Sequence, residues 1–158
     1  MLRIGIGYDV HRLIPARPLF LGGLHVPHSH GLEGHSDADV LLHAIADALL
    51  GALGEGDIGH HFPNTDPRWK NAPSIQFIDH ITKIMNQKNA TLHNIDATII
   101  AESPKISPHI PAMKSTIASS LQVHPSQIGI KATTNENLGF LGRKEGIAAI
   151  AVALVNLP

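Results

Sequence analysis

Asp9, His11 and His43 are the side chains of this sequence best suited by type and spacing to do chemistry. Asp9 and His11 lie two residues apart in an extended stretch, so they point to the same side of a strand. His43 sits in the apolar run Val40 to Leu50, rich in Ala and Leu, which predicts a helix buried on most sides. Two imidazoles and a carboxylate make the protein half of a catalytic zinc site, with a fourth position left for water or substrate. An Asp-x-His pair alone is more often a hydrogen-bonded core pair than a metal site. The setting of His43 argues further. Asp39, His43 and Asp47 are spaced four apart and would stack along one face of a helix. A buried carboxylate-imidazole-carboxylate line is costly unless each group is paired or holds an ion. Asp39 and Asp47 are therefore expected behind the imidazole, orienting it.

A second group lies in Lys131-Ala-Thr-Thr-Asn-Glu136, where two hydroxyls, an amide and a carboxylate at a strand end suit phosphate oxygens and a hard cation. A plain turn after a strand has the same composition. Gly139, Gly142, Arg143 and Gly146 fit an anion-binding turn or a glycine-rich hairpin equally well. His35-Ser36 precedes the predicted helix, whose free N–H groups and dipole favour phosphate. Of the remaining histidines, His28, His30, His60 and His61 fall in polar loops where solvent is their expected partner. His25, His80, His93, His109 and His124 are scattered singly and receive no role.

The elements that must position these groups follow from the pattern. Residues 2–11 alternate Ile with Gly and predict a strand ending at Asp9-Val-His11. Pro18 to Pro27 carries Gly22-Gly23 between two apolar arms, a hairpin signal, and residues 28–34 a loop. Ser36 is the expected N-cap of the central helix, which stops near Gly54 or Gly56. Residues 57–73 hold three prolines and no periodicity, predicting a long loop. A helix capped by Ser74 then buries Ile75, Ile78, Ile81 and Met85. Thr91 to Ala101 reads as a strand. Ser107 caps a helix with Pro108 in its first turn, burying Ile110, Met113, Ile117 and Leu121. Ile128 to Thr134 and Ile147 to Leu157 read as strands around a glycine-punctuated turn. This order predicts one α+β domain over residues 1–158, a mixed β-sheet with helices packed on one face.

Composition bounds the function. A chain of 158 residues has room for one core, and a net charge of −1 offers no basic field for nucleic acid or anionic membrane. The absence of cysteine excludes thiolate zinc sites, so any such ion must be held by His and carboxylate. The N-terminus lacks a secretory pattern and the longest apolar run, Ile147 to Val155, is too short to span a bilayer, so a cytoplasmic protein is expected.

Taken together, Gly7-Tyr-Asp-Val-His11, Gly34 to His43 through Asp47, Gly56-Asp-Ile-Gly59, Phe62-Pro-Asn-Thr-Asp-Pro67, Thr98 to Lys105, Lys131 to Thr134 and Gly139 to Gly146 resemble the 2-C-methyl-D-erythritol 2,4-cyclodiphosphate synthases of the non-mevalonate isoprenoid pathway. The resemblance runs in family order along the whole chain. It implies a lyase that cyclises 4-diphosphocytidyl-2-C-methyl-D-erythritol 2-phosphate and expels CMP, working as a homotrimer with active sites between adjacent subunits. Zn2+ would sit on Asp9, His11 and His43, and Mg2+ or Mn2+ on Glu136 and the substrate phosphates. His35 and Thr134 would stabilise the transition state, and Ser36 would bind phosphate. Asp57 and Gly59 would grip the methylerythritol hydroxyls, with Ile58 also among the substrate-binding residues. Phe62, Pro63, Asn64, Thr65 and Asp66 would form a substrate cover, in which Asn64 stands where many relatives carry Asp. Ala101, Glu102, Ser103, Pro104, Lys105, Ile106 and Ser107, with Thr133, would bind the cytidine portion, and Asn135 and Phe140 also fall among the expected substrate contacts. Arg143, also a substrate-binding expectation, matches with Glu145 positions lining a trimer-axis cavity able to hold an isoprenoid diphosphate. The residues without the family leave two other readings open, a metal-dependent phosphohydrolase that activates water and a non-catalytic trimeric module with a structural ion.

Overall fold

In a computed structural model describing residues 1–158, two glycines decide how the central helix meets the sheet. Strand β1 (Leu2–Pro15) presents Gly5 and Gly7 to helix α1 (Val40–Leu53). A Cβ built on either glycine would stand 1.9 Å from a helix carbonyl oxygen, of Ala48 and Ala44 respectively. No side chain fits there, and the helix therefore lies directly on the strand. His43 is one residue from Ala44, so the same close approach brings its ring against Asp9 and His11. We expect Gly7→Ala to destabilise the fold by about 3 kcal/mol or more, because the clash is with backbone on both sides. Denaturant unfolding checks this; a variant within about 0.5 kcal/mol of the parent would show that the helix can lift without cost.

Around this pair the chain builds a five-stranded sheet in the order β4-β1-β7-β5-β6. Here β4 is His30–Leu32, β5 is Thr91–Ile100, β6 is Ile128–Thr133 and β7 is Gly146–Asn156. The β1–β7 and β7–β5 pairs are antiparallel, whereas β5 and β6 run parallel, joined through helix α4 (Ile110–Leu121). The mixed sheet expected from the element order is present, as is the final strand. Helix α1 packs on β1 and β7, α4 lies by β6, and α3 (Ile75–Gln87) covers α1 and α4, so the helices occupy one face. The opposite face carries Ile4, Ile6, Tyr8, Val10 and Ile150, all exposed, with Tyr8 and Ile150 paired across the strands, a contiguous kind of apolar surface that marks interaction faces. None of the helices is long and apolar enough to cross a membrane.

Several boundaries differ from expectation. Strand β1 continues past His11 to Pro15 because its end pairs with β4, a short strand inside the segment expected as loop. The hairpin β2 (Leu19–Leu21) to β3 (Leu24–Val26) forms as expected, with both turn glycines at positive φ. Residues 57–73 are not structureless: they hold helix α2 (Ile58–His61) and a single 3₁₀ turn at Pro67–Trp69. Phe62 stacks on Phe77 at 4.3 Å between ring centroids, and Trp69 meets both rings edge-on. That aromatic cluster supplies the burial that the missing periodicity did not announce. Ser107 opens a 3₁₀ turn rather than capping α4, and its hydroxyl makes no cap bond.

Candidate metal centre

Asp9, His11 and His43 converge as expected, with one donor atom from each lying within 4.8 Å of the other two. Asp9 Oδ2 is 2.9 Å from His11 Nε2 and 3.0 Å from His43 Nδ1, and the two imidazole nitrogens are 3.2 Å apart. The far nitrogens fix which atoms carry hydrogen. His11 Nδ1 lies 2.7 Å from the carbonyl of Glu33, which only accepts, so Nδ1 is protonated and the lone pair of the neutral ring sits on Nε2, facing Asp9. His43 Nε2 lies 2.9 Å from Ser74 Oγ, whose single hydrogen goes to the Asp37 carboxylate. Ser74 must accept, so His43 carries its hydrogen on Nε2 and offers the Nδ1 lone pair to the cluster. Two inward lone pairs and a carboxylate form the donor set that a borderline divalent ion such as zinc takes. The residues present fit such an ion.

The electrostatics agree. Burial pushes the Asp9 carboxyl up, but hydrogen bonding with the imidazoles of His11 and His43, which needs a proton on the inward side of a ring, and their charge prevail and hold it well below the usual carboxylate range. Burial pushes His11 down, yet its hydrogen bond to Asp9 and that charge win and raise it above its ordinary value. In the metal-free site the pair thus favours a proton between carboxylate and imidazole, where a cation would bind.

The expected supporting pair is corrected. Neither the Asp39 nor the Asp47 carboxylate hydrogen-bonds the His43 ring, although the Asp39 carbonyl accepts from His43 N–H. Asp39 is itself the N-cap of α1, accepting from Leu42 N–H, while its two oxygens also accept from Gly22 and Gly23 N–H in the β2–β3 turn. Burial, with the charge of Asp37 added, pushes its carboxyl up to about 6 against those N–H donors. Asp47 accepts from Ile58 N–H at 2.8 Å, tying α2 to α1. Burial raises the Asp47 carboxyl as well, with the Ile58 N–H opposing. The four-residue spacing is real, but the helix starts at Val40, which leaves Asp39 off the helix face on which it was placed. Ser36 is likewise not the cap: its Oγ accepts from Ala38 N–H and lies 3.3 Å from His43 Nε2. The Asp39 carboxylate takes the Leu42 N–H at this terminus, so an anion beside Ser36 would meet a negative charge there.

What sequence reasoning missed are Asp37 and Ser74. Ser74 reads as a helix cap, but it is fully buried and makes no cap bond. The pairing spans 37 positions and leaves no periodic trace.

The remaining residues fall into two places. Near the cluster, His35 is half-buried and lies close enough to Asp66 to lower that carboxyl, behind the main effect of Arg68, and its carbonyl accepts from Asn71 N–H. Asp57 caps α2 through His60 N–H, with Gly59 exposed beside it. Pro63, Asn64 and Thr65 remain at the surface, whereas the ring of Phe62 is buried in the aromatic cluster and presents no face to a ligand. Elsewhere, Ala101, Glu102, Pro104, Lys105, Ile106, Ser107, Thr133 and Thr134 line one cavity of about 250 Å³, and Ser103 is not among its walls. Glu102 has a structural duty, accepting from the N–H groups of Asn135 and Asn137 and so holding the turn that displays Glu136. Glu136 and Asn137 both have positive φ, a strain that this carboxylate secures. Arg143 pairs with Glu145 at 2.7 Å, and Phe140 and Glu145 join Val10 and His11 around a further cavity of about 340 Å³. The hydrogen-bonded network of the Asp-His-His cluster does not reach the Glu102–Glu136 turn within one chain.

Comparison with known proteins agrees with this geometry. The YgbB family model matches residues 2–156. A 2-C-methyl-D-erythritol 2,4-cyclodiphosphate synthase from Synechococcus elongatus is 58% identical over 97% of the chain and 96% of its own length. The Bacillus subtilis protein of the same name is 56% identical over 98% of each. Among solved structures, a CDP complex of IspF from Plasmodium falciparum superposes with a TM-score of 0.87 at 34% identity, covering 99% of this chain and 96% of that one.

Proposed function

This chain belongs to the YgbB family, the 2-C-methyl-D-erythritol 2,4-cyclodiphosphate synthases, and from that premise we propose how its site works. It cyclises 4-diphosphocytidyl-2-C-methyl-D-erythritol 2-phosphate to the 2,4-cyclodiphosphate with release of CMP, in isoprenoid precursor synthesis. An oxygen of the substrate's own 2-phosphate bonds to the β-phosphorus as the bond from that phosphorus to the CMP oxygen breaks. The net change is a phosphorus-oxygen lyase reaction. No protein nucleophile is needed. The protein's task is to fold a flexible polyanion until its ends meet, an orientation effect worth on the order of 7–11 kcal/mol in favourable cases.

The observation that carries this reading is the convergence of Asp9, His11 and His43 with both imidazole lone pairs turned inward. These three would hold zinc, and Glu136 would take magnesium or manganese together with substrate phosphates. Bound there, the two cations supply positive charge that a chain of net charge −1 lacks, offsetting charge that builds on the phosphates and on departing CMP. Ser36, whose hydroxyl hydrogen has no acceptor closer than 3.3 Å, donates to a phosphate oxygen, with His35 and Thr134 doing the same around the reacting phosphorus. Asp57 and Gly59, both exposed, accept and flank the methylerythritol hydroxyls; Ile58 N–H is already spent on Asp47. Pro63 to Asp66 cover the substrate. The cavity of Ala101 to Ser107 and Thr133 receives the cytidine portion, with Asn135 at its rim.

Because that cavity and the metal cluster are separate networks in one chain, we assign each complete site to two adjacent subunits of a homotrimer. The apolar outer sheet face of Ile4, Ile6, Tyr8 and Val10 supports that contact. The cavity beside Phe140, Arg143 and Glu145 then faces the trimer axis, where an isoprenoid diphosphate would lie. The cytoplasm suits this small-molecule chemistry.

The test is to incubate purified protein with the cytidyl substrate and Mg2+ in ¹⁸O-labelled water, with and without a zinc chelator, and follow phosphorus products by NMR. We expect CMP and the cyclic diphosphate free of label, and no turnover after chelation. Linear phosphates carrying ¹⁸O would identify a hydrolase instead.

A further inference from the structure

We propose that Asp37 and Ser74 are positioning residues for the metal ligand His43, joined to it in a carboxylate–hydroxyl–imidazole chain that sets the ring's tautomer and locks it to the base of the 57–73 segment. The inference rests on the metal reading of Asp9, His11 and His43 given above.

Each link has a direction. Ser74 Oγ donates to Asp37 Oδ1, and His43 Nε2–H donates to Ser74 Oγ at 2.9 Å. Ser74 is fully buried and His43 nearly so, which excludes water as a substitute partner for the imidazole hydrogen. Asp37 is held in turn. Its Oδ1 accepts from Asp39 N–H at 3.1 Å and its Oδ2 from Ser74 N–H at 3.0 Å, so the carboxylate serves three donors. All three need an acceptor, and only an ionised carboxylate offers acceptors on both oxygens. An amide at position 37 must turn its NH2 either towards Ser74 N–H or towards Asp39 N–H and the Ser74 hydroxyl, setting donor against donor. In the second orientation the Ser74 hydroxyl is driven to donate to His43 Nε2, which moves the imidazole hydrogen to Nδ1, the atom that must ligate.

The chain also reaches the covering segment. Asp37 N–H donates to Ala72 O, Asn71 N–H donates to His35 O, and Ser74 directly follows the segment. One carboxylate thus holds the imidazole and the end of the substrate cover together. Ser36 is a weak replacement, since its Oγ already accepts from Ala38 N–H and lies 3.3 Å from His43 Nε2, longer than the 2.9 Å of Ser74.

The experiment measures zinc affinity of the full-length protein by competition with a chromophoric chelator, for the parent, Ser74→Ala, Asp37→Asn, the double variant and His43→Ala. Outer partners of metal-bound histidine typically matter by 10–100-fold in affinity, and each single variant is expected to lose about that much. The double variant is expected to lose no more than the worse single one, because the two residues act as one chain. With Co2+ in place of zinc, the visible absorption of Ser74→Ala should shift, reporting altered ligation and not general loosening. Melting of the metal-free proteins is followed in parallel and is expected to fall somewhat in each variant, because the buried imidazole N–H or the donors on Asp37 lose their acceptor; the cobalt spectrum is the readout that loss of packing alone would not move. A Ser74→Ala affinity within twofold of the parent, losses that multiply in the double variant, or a cobalt spectrum of Ser74→Ala identical to the parent's would overturn the proposal. If Asp37→Asn fails to fold, Ser74→Ala and its cobalt spectrum decide alone. Should His43→Ala also keep parental zinc affinity, the metal reading fails, and the relay falls with it; loss of zinc in His43→Ala with none in Ser74→Ala sinks only the relay.

Discussion

Replacing His43 with Ala is expected to abolish bound zinc and to lower kcat/KM about a thousandfold, the several kcal/mol of charge stabilisation that a metal site supplies. The reason lies in where the ring sits. His43 is the only ligand from the helix, it is buried, and its ring stacks on Phe77 at 5.6 Å, so no neighbouring side chain can swing in to take its place. Asp9 and His11 remain on β1 but would have lost the third donor that makes the set a site. The fold should survive, because α1 is anchored independently by Asp39 at its start and by close contact with Gly5 and Gly7 along its length. Metal analysis, circular dichroism and turnover on the same preparation separate the outcomes. Retained zinc with retained turnover would show that the ion sits elsewhere, while lost turnover with retained zinc would assign His43 a role other than ligand.

How much of this was readable in the sequence depends on the range of each interaction. The parity of Asp9 and His11 is a property of one strand, and the alternation of Ile and Gly around them exposes it. The apolar surroundings of His43 are a property of one helix and are equally plain. Asp39 shows where such reading stops. Its spacing from His43 is helical in sequence, yet the Gly22 and Gly23 N–H groups compete for its carboxylate across 16 to 17 positions and make it a cap. The helix start shifts three residues beyond Ser36 as a result. The order of residues 57–73 was hidden for a related reason: Phe62 and Trp69 find their burial on Phe77 of another helix, not within their own segment. The turn bearing Glu136 could be seen as chemically rich, but its support by Glu102 across 33 to 35 positions could not.

Zinc binding should depend steeply on pH, and the sign follows from the two shifted groups. In the metal-free protein His11 is raised above its ordinary value by Asp9, so the pair's contribution to stability is present at low pH for the imidazole and fades as pH rises through that raised value. Asp9 is depressed, so its contribution is present above the ordinary carboxylate range and fades only in strong acid. Between those limits the site holds a proton on His11 that an incoming ion must expel, since the ligand is the neutral ring. Apparent affinity should therefore climb with pH by about tenfold per unit for each proton displaced, close to a hundredfold over two units if His11 alone titrates, and level off above the raised His11 value. The metal-free protein should show the opposite trend in melting temperature as pH rises through that region, which makes the zinc-induced gain in melting temperature grow from both sides. Calorimetric titrations in buffers of different ionisation enthalpy count the released protons directly. An affinity flat between about pH 6 and 8, with no proton release, would mean that His11 is already neutral in the metal-free site and that Asp9 is not holding the proton there.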